Sequence, residues 1–376
     1  MNDTEKILTR GVAEVILKDH LEQILSSGKK LRVKLGIDPT APDIHLGHTV
    51  PLRKLRQFQE AGHKIVLIIG DFTAMIGDPA GRADARKPLT EKDVKANLKN
   101  YLQQAGKVID VKKSEIHYNG EWYKKTPNLI LDLMRRESLQ RVIERDDFQK
   151  RIKAGQEITF IESIYPLLQG YDSVAVRADV EVGGTDQKFN LLMGRKIQRS
   201  FGLPEQDILT LPIIEGLDGV KKMSKSYGNY IGVSDRPNDM FGKIMGVPDG
   251  LIDKYYTLLT EVDRTISDPR EAKLELGRII VSMYHGNQAG TKAKEEFINV
   301  FSKKGLPSDR PRHKEAGGMN VIDGLLKTGA ASSKSEARRL VQQGGVSFGD
   351  KKVTDLNAVI PEGTIVKVGK HRYFDT

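Results

Sequence analysis

Two spacings of apolar residues alternate along the chain, and each change of spacing marks an element. Ile7, Leu8, Val12, Val15 and Ile16 recur at helical intervals and predict an amphipathic helix near the start. Leu31-Arg-Val-Lys-Leu-Gly-Ile37 is β-rich instead and stops at the turn-forming Asp-Pro-Thr-Ala-Pro. A helix with Pro51 near its beginning follows and Gly62 closes it, after which Lys64-Ile-Val-Leu-Ile-Ile-Gly70 predicts a buried strand. Strand, helix and strand in that order imply a parallel sheet with right-handed crossovers. A charged, less regular insertion spans about 110–160. It precedes a helix around Ile158–Leu168, a strand at Asp179–Gly183, a helix from Thr185 and a strand over Ile208–Ile214. From Pro237 to about Ser302 the patterns are helical; Lys303 to Gly318, rich in Pro, Gly and basic residues, reads as a linker, and an α+β tail fills roughly 320–376.

The fold class expected is therefore α/β: a Rossmann-like parallel-sheet domain at 1–230 carrying the insertion, an all-α domain and linker at 231–318, and a small α+β domain at 319–376. A chain of 376 residues calls for more than one domain, since single cores stop growing near ~250–300 residues. A net charge of +10 suits a polyanionic partner. The absence of cysteine excludes disulfides, thiolate zinc and thiol chemistry. Met-Asn-Asp-Thr-Glu-Lys lacks a basic-then-apolar secretory pattern, and Ile65 to Ile69 falls far short of the ~20 residues that span a bilayer. A cytoplasmic protein with no membrane contact is expected.

The candidate chemistry begins at Gly36-Ile-Asp-Pro-Thr-Ala-Pro-Asp-Ile-His-Leu-Gly-His48. A strand that delivers a helix N-terminus to solvent makes an anion site, because unpaired N–H groups and the helix dipole both favour phosphate. His45 and His48 on the first turn can donate ring N–H groups to phosphate oxygens, and Gly47 leaves room for a flat base. Metal ligation by the two histidines is the weaker reading, because no third ligand is nearby. Far downstream, Lys222-Met-Ser-Lys-Ser226 follows a strand, with Gly216, Gly219, Gly228 and Gly232 to lend its loop mobility. Gly70-Asp-Phe-Thr-Ala-Met-Ile-Gly-Asp-Pro-Ala-Gly-Arg82 brings a glycine-rich turn, and Arg82 and Arg86, to the same sheet edge. Neither a P-loop nor a GxGxxG fingerprint is present. Tyr165, Gln169 and Asp172 are spaced by four and three, so a continuous helix puts them on one face of an otherwise apolar segment.

Asp43-Ile-His-Leu-Gly-His-Thr resembles the HIGH motif, and Lys222-Met-Ser-Lys-Ser226 matches the KMSKS motif, of class I aminoacyl-tRNA synthetases. With Tyr165-Pro-Leu-Leu-Gln-Gly-Tyr-Asp172 and Gly183-Gly-Thr-Asp-Gln187, the resemblance narrows to bacterial-type tyrosyl-tRNA synthetases, over about 32–230 and the tail. It implies ATP as substrate, Mg²⁺ on the phosphates and no zinc. Lys222 and Lys225 would stabilise the pyrophosphate leaving group, joined by Arg82 and Arg86. Asp38, Thr40, Gly47, Gly183, Gly184, Asp186, Met223 and Ser224 would border the nucleotide. Gly36 would border L-tyrosine, Asp78, Tyr165 and Gln169 would hold its ammonium, Gln187 would lie near its carboxylate, and Asp172 would accept from its phenol. An enclosed carboxylate left unpaired by phenylalanine can discriminate by ~10⁵, a figure for which this very family is the standard worked example.

One departure stands out. Many family members carry a tyrosine two residues before the glycine of the first strand, sharing the phenol with the aspartate, and this chain has Lys34 there. Either Lys34 points elsewhere and another donor substitutes, or phenol reading rests more heavily on Asp172. In the tail, Gly329-Ala-Ala-Ser-Ser-Lys-Ser-Glu-Ala-Arg-Arg-Leu-Val-Gln-Gln-Gly-Gly-Val346 and Gly363-Thr-Ile-Val-Lys-Val-Gly-Lys370 resemble the RNA-binding module named after ribosomal small-subunit protein four. Lys334, Arg338 and Arg339 would contact tRNA-Tyr there, the helical middle domain would meet the anticodon region, and a homodimer is implied. The alternatives are a HIGH-motif nucleotidyltransferase of a small metabolite and a non-catalytic RNA-binding paralogue. The first would not need Gly183-Gly-Thr-Asp-Gln187 or an RNA-binding tail; against the second, the phosphate-binding His45, His48, Lys222 and Lys225 are all present.

Overall fold

The computed structural model describes residues 3–80, 89–126, 128–302, 310–369 and 372–376, in two compact units, Met1–Lys294 and Glu295–Thr376. In the first unit six strands form one sheet: β1 (Glu14–Ile16), β2 (Arg32–Ile37), β3 (Lys64–Ile69), β4 (Glu115–Tyr118), β5 (Val180–Gly184) and β6 (Asp207–Leu211), in the order β1-β6-β5-β2-β3-β4. All neighbours are parallel except β1, which runs antiparallel to β6 at the edge. The central strands are apolar runs rather than alternating ones, as helices on both faces require: Ile65 to Ile69 is buried throughout β3.

Three sequence expectations need correction. Val15 and Ile16 do not continue the first helix, which is Asp3–Thr9; Gly11 adopts φ +64°, Ala13 N–H donates to Thr210, and the chain joins the sheet as β1. Edge pairing there outweighs a helical spacing that only two turns support. Pro51 lies inside helix Leu46–Glu60 rather than near its start. The insertion is also more regular than its charge suggests, since it supplies β4 and the helices Leu129–Arg135, Leu139–Ile143 and Asp146–Lys153. Their apolar sides share a core with helix Phe160–Ala175 through Leu133, Val142, Phe148, Leu167 and Leu168.

The second unit packs helices Val321–Lys327 and Lys334–Gln342 on an antiparallel sheet of β7 (Val346–Phe348), β8 (Lys351–Val353), β9 (Ile365–Val368) and β10 (Arg372–Asp375), ordered β10-β9-β7-β8. Leu325, Ala337, Val341, Val346, Val366 and Phe374 form its core. Ser333 caps the second helix by accepting from Glu336 N–H at 3.2 Å, as its sequence suggests, and Lys334, Arg338 and Arg339 are exposed. Lys370 lies outside the described residues.

Candidate active site

The chain leaves β2 for β3 on one side and later adds β5 and β6 on the other, so the strand order turns between β2 and β5. Open α/β sheets bind ligands in the crevice at the carboxyl ends of such strands. A cavity of about 260 Å³ lies there, lined by Gly36, Asp38, Asp78, Tyr165, Gln169, Asp172 and Gly183. A second, of about 330 Å³, is lined by His45, Gly47, Met223, Ser224 and Lys225. Thr40, His48, Gly184, Asp186, Gln187 and Lys222 border both, which makes the two one continuous site. Residues nearly two hundred positions apart thus meet, while Arg82 and Arg86 lie outside the described residues.

Backbone pairing explains the convergence. His45 and Gly232 form an antiparallel bridge, with Leu46 N–H donating to Ile231 O at 2.9 Å and Val233 N–H to Ile44 O at 3.0 Å. The lysine loop departs from a narrow hairpin in which Glu215 pairs with Lys222. Buried Asn229 staples it, accepting from Ser224 N–H at 2.8 Å and donating toward Asp218 at 2.8 Å. A Cβ on Gly216 would fall 2.3 Å from Asn229, and one on Gly232 would fall 2.8 Å from Asp235, so these two glycines serve close approach. Gly219 and Gly228 have φ near +70°, the left-handed region that glycine adopts without strain.

At the helix N-terminus the rings of His45 and His48 stack with centroids 3.8 Å apart, and His48 Nδ1 accepts from His45 N–H at 3.3 Å. Burial, then the neighbouring His48 and Lys225, lower His45 to about 2; burial, then Lys225 and Lys222, lower His48 to about 4. Both imidazoles are therefore neutral donors at physiological pH. A Cβ on Gly47 would come within 3.0 Å of the His45 ring, so the room this glycine leaves is filled by imidazole. Lys222 pairs with Asp186 at 3.2 Å and Lys225 with Asp43, and both lysines line the cavity.

In the other lobe, Asp38 accepts from Tyr165 Oη at 2.9 Å and Thr73 Oγ1 at 2.8 Å. Asp78 accepts from Gln187 Nε2 at 2.6 Å and from Asn190 Nδ2 at 3.3 Å. Tyr165, Gln169 and Asp172 all face this lobe from helix Phe160–Ala175, as the four-and-three spacing predicts. At its far end the Asp172 carboxylate accepts from Tyr123 Oη at 2.9 Å, Trp122 Nε1 at 3.0 Å and Asn119 Nδ2 at 3.3 Å. Lys34 does not reach the cavity; it is wholly buried against Glu181 at 2.9 Å.

Residues 26–302 match the family model described as tRNA synthetases class I (W and Y), and residues 298–375 match the Tyrosine–tRNA ligase SYY-like C-terminal domain. The chain belongs to the class I tyrosine–tRNA ligases. It is 48% identical to the tyrosine–tRNA ligase of Thermotoga maritima, over 98% of this chain and 96% of that one. Identity to the tyrosine–tRNA ligase of Aquifex aeolicus is 47%, over 98% and 97%. The fold is shared with the tyrosyl-tRNA synthetase of Archaeoglobus fulgidus complexed with L-tyrosine, at TM-score 0.63 and 22% identity over 78% of this chain and all of that one. A C-terminally truncated mitochondrial tyrosyl-tRNA synthetase from Aspergillus nidulans superposes at TM-score 0.66 and 22% identity, over 80% of this chain and 94% of that one. An aminoacyl-tRNA synthetase that ligates an amino acid to tRNA with ATP is therefore at hand.

Sequence reasoning missed Asn119, Trp122 and Tyr123 around Asp172, Glu181 beneath Gln169, and Asn229 in the lysine loop. A signal for the first group existed. His117-Tyr-Asn-Gly-Glu-Trp-Tyr123 holds the sole tryptophan of the chain, and it lies just past the carboxyl end of β4, on the ligand side of the sheet.

Proposed function

We propose that this ligase activates L-tyrosine with ATP at the β2–β5 crevice and transfers it to the 3′-terminal ribose of tRNA-Tyr, for protein biosynthesis in the cytoplasm. One observation carries the assignment of roles: the lobe walled by Tyr165, Gln169 and Asp172 opens directly into the lobe bounded by His45, His48, Lys222 and Lys225. An amino acid seated in the first, its ammonium on Asp78, Tyr165 and Gln169 and its phenol on Asp172, presents its carboxylate to an α-phosphorus in the second. Gly36 leaves space for its chain, and Gln187 lies beside its carboxylate. Attack forms a carboxylate O–P bond and breaks the bond to pyrophosphate, leaving tyrosyl adenylate.

The carboxylate is ionised at neutral pH, so no general base is required. Rate comes from alignment and from charge stabilisation. Neutral His45 and His48 offer N–H groups to phosphate oxygens, and Lys222, Lys225, Arg82 and Arg86 meet the pyrophosphate charge. Asp38, Thr40, Gly47, Gly183, Gly184, Asp186, Met223 and Ser224 frame the nucleotide. ATP enters as its Mg²⁺ complex. Among the described residues no group of three or more His, Cys, Asp or Glu side chains is arranged to hold a metal.

Lys334, Arg338 and Arg339 bind RNA backbone, with 319–376 as the RNA-binding domain, 231–318 as the anticodon-recognition domain and linker, and 1–230 as the catalytic domain. Homodimerisation draws support from Leu131, Leu139, Ile152 and Phe160, which stay 55%, 51%, 47% and 80% exposed on the insertion and the helix after it. No helix among the described residues is long and apolar enough to cross a membrane. Pyrophosphate exchange with each of the twenty amino acids tests the reading: exchange should be confined to tyrosine, and robust exchange with tryptophan, or none with tyrosine, refutes it. Lys225→Ala should slow adenylate formation with little change in tyrosine affinity; an unchanged rate removes the loop from the mechanism.

A further inference from the structure

β2 and β5 are ladder neighbours, and their register sets Lys34 opposite Glu181. Both side chains are shut off from solvent beneath helix Phe160–Ala175, at 0% and 1% exposure. An ammonium has three hydrogens to donate. Lys34 places them on Glu181 Oε1 at 2.9 Å, Ser173 Oγ at 2.8 Å and Gln169 O at 3.0 Å. Glu181 is equally saturated: Oε1 also accepts from Gln169 Nε2 at 3.1 Å, and Oε2 accepts from Ser173 Oγ at 3.1 Å and from Gln206 Nε2. Gly194 keeps this shell closed, since a Cβ there would fall 2.5 Å from Gln206 Nε2. Lys34 therefore has no hydrogen left for a phenol, and Glu181, not Lys34, borders the cavity.

What remains at the phenol end is Asp172, only 3% exposed. Oδ1 is held by Trp122 and Tyr123, while Oδ2 has a single long contact from Asn119 and so keeps acceptor capacity. An ionised carboxylate stranded without its partner costs far more than a neutral acid. Discrimination against a ring without hydroxyl is thus strong only while Asp172 carries its charge. We propose that the buried Lys34–Glu181 pair, in place of a hydroxyl touching the phenol, keeps Asp172 ionised through the field of the Lys34 ammonium, and so sets the selectivity for tyrosine over phenylalanine. This rests on Asp172 being the phenol acceptor. Lys34 and Glu181 are positioning residues in this scheme, because they act through Asp172.

Electrostatic balance around Asp172 supports the assignment. Burial pushes it up to about 6; Lys34 is the largest influence drawing it back down, ahead of Tyr123, Asn119 and Trp122. The other titratable groups around it are Tyr123 from helix Gly120–Tyr123, Tyr165 on its own helix, Glu181 on β5, and Asp38, His48, Asp78, Tyr101 and Lys222 in the same cavity lining. Of the cations among the described residues, Lys34 acts on Asp172 most strongly.

The test measures kcat/KM for tyrosine and phenylalanine in pyrophosphate exchange against pH, in the full chain. Lys34→Gln should raise the acid midpoint for tyrosine by about one pH unit or more, and lower selectivity near neutrality about tenfold, with recovery at alkaline pH. Glu181→Gln disturbs the same hydrogen bonds yet retains the cation, so it should not raise the midpoint. The uncharged double variant Lys34→Gln/Glu181→Gln also loses the Glu181 charge, so it should raise the midpoint in the same direction but by less, and it serves if Lys34→Gln does not fold. A wild-type midpoint in the variants lacking Lys34, or an equal upward shift with Glu181→Gln, overturns the proposal. Asp172→Asn separates the premise: selectivity retained there would refute Asp172 as phenol acceptor, whatever the Lys34 variants do.

Discussion

Replacing Gly70 by alanine should damage stability and tyrosine binding together. Gly70 follows β3, and a Cβ there would sit 2.0 Å from Asp38 Oδ1 and 2.3 Å from Thr73 Oγ1, inside the hydrogen bond those atoms make. The backbone cannot retreat, because Gly70 N–H donates to Ile37 O and its carbonyl accepts from Ala74 N–H, each at 2.9 Å. Asp38 must swing away, giving up Thr73 and weakening its grip on Tyr165. Hydrogen bonds to a charged group contribute roughly 1.5–3 kcal/mol each, so a loss of about 2–4 kcal/mol follows. In a unit of this size that lowers the melting temperature by about 4–10 °C. If half of it falls on the substrate complex, the tyrosine KM rises on the order of tenfold while the ATP KM changes little. Calorimetry with pyrophosphate-exchange kinetics reads both. Gly36→Ala is the control, because nothing lies within 4 Å of its added Cβ and it borders the cavity. It should leave the melting temperature in place and perturb only substrate. A Gly70→Ala variant with wild-type melting and tyrosine KM would refute the close packing of Asp38 against β3.

Three shorter expectations accompany it. Native His45 and His48 lie at about 2 and about 4 against an ordinary 6.5, so below about pH 6.5 the unfolded chain takes up protons the native one refuses. Stability should fall with acidification from there toward pH 4, more steeply than in His45→Asn/His48→Asn; equal slopes by urea titration contradict the buried neutral pair. Asp43→Asn releases Lys225, and because such half-exposed pairs are worth ~0.2–1 kcal/mol, trypsin should cut the loop only about two- to fivefold faster in the ATP-free enzyme. Unaltered cleavage would show that Asp43 does not restrain the loop. Arg338→Glu/Arg339→Glu should weaken tRNA binding and reduce its salt slope by about two while adenylate formation is untouched; a wild-type slope removes this helix from the RNA interface.

The legible parts of the molecule were those encoded locally. β2, β3, the helix carrying Tyr165 and the serine cap before Lys334 follow from spacing and turn residues, and the HIGH and KMSKS segments announce phosphate chemistry through residue type alone. β1 was illegible because three residues join the sheet only through β6, some two hundred positions on. The surroundings of Asp172 were hidden for the same reason: Trp122 and Tyr123 sit fifty residues upstream, in a stretch whose charges suggested loop. Lys34 looked anomalous in sequence because its partner stands on another strand. Once β2 and β5 are paired the pair of charges is a register fact, not a substitution at the substrate.

The bridge between His45 and Gly232 has an engineering corollary. The lysine segment is an excursion whose foot is sewn to the histidine edge, so it can change shape without changing address. Anyone transplanting this loop into another scaffold would have to carry Ile214–Val233 together with Ile44–Leu46, since a graft of the five motif residues alone would arrive with no seam to fix where its ammonium groups point.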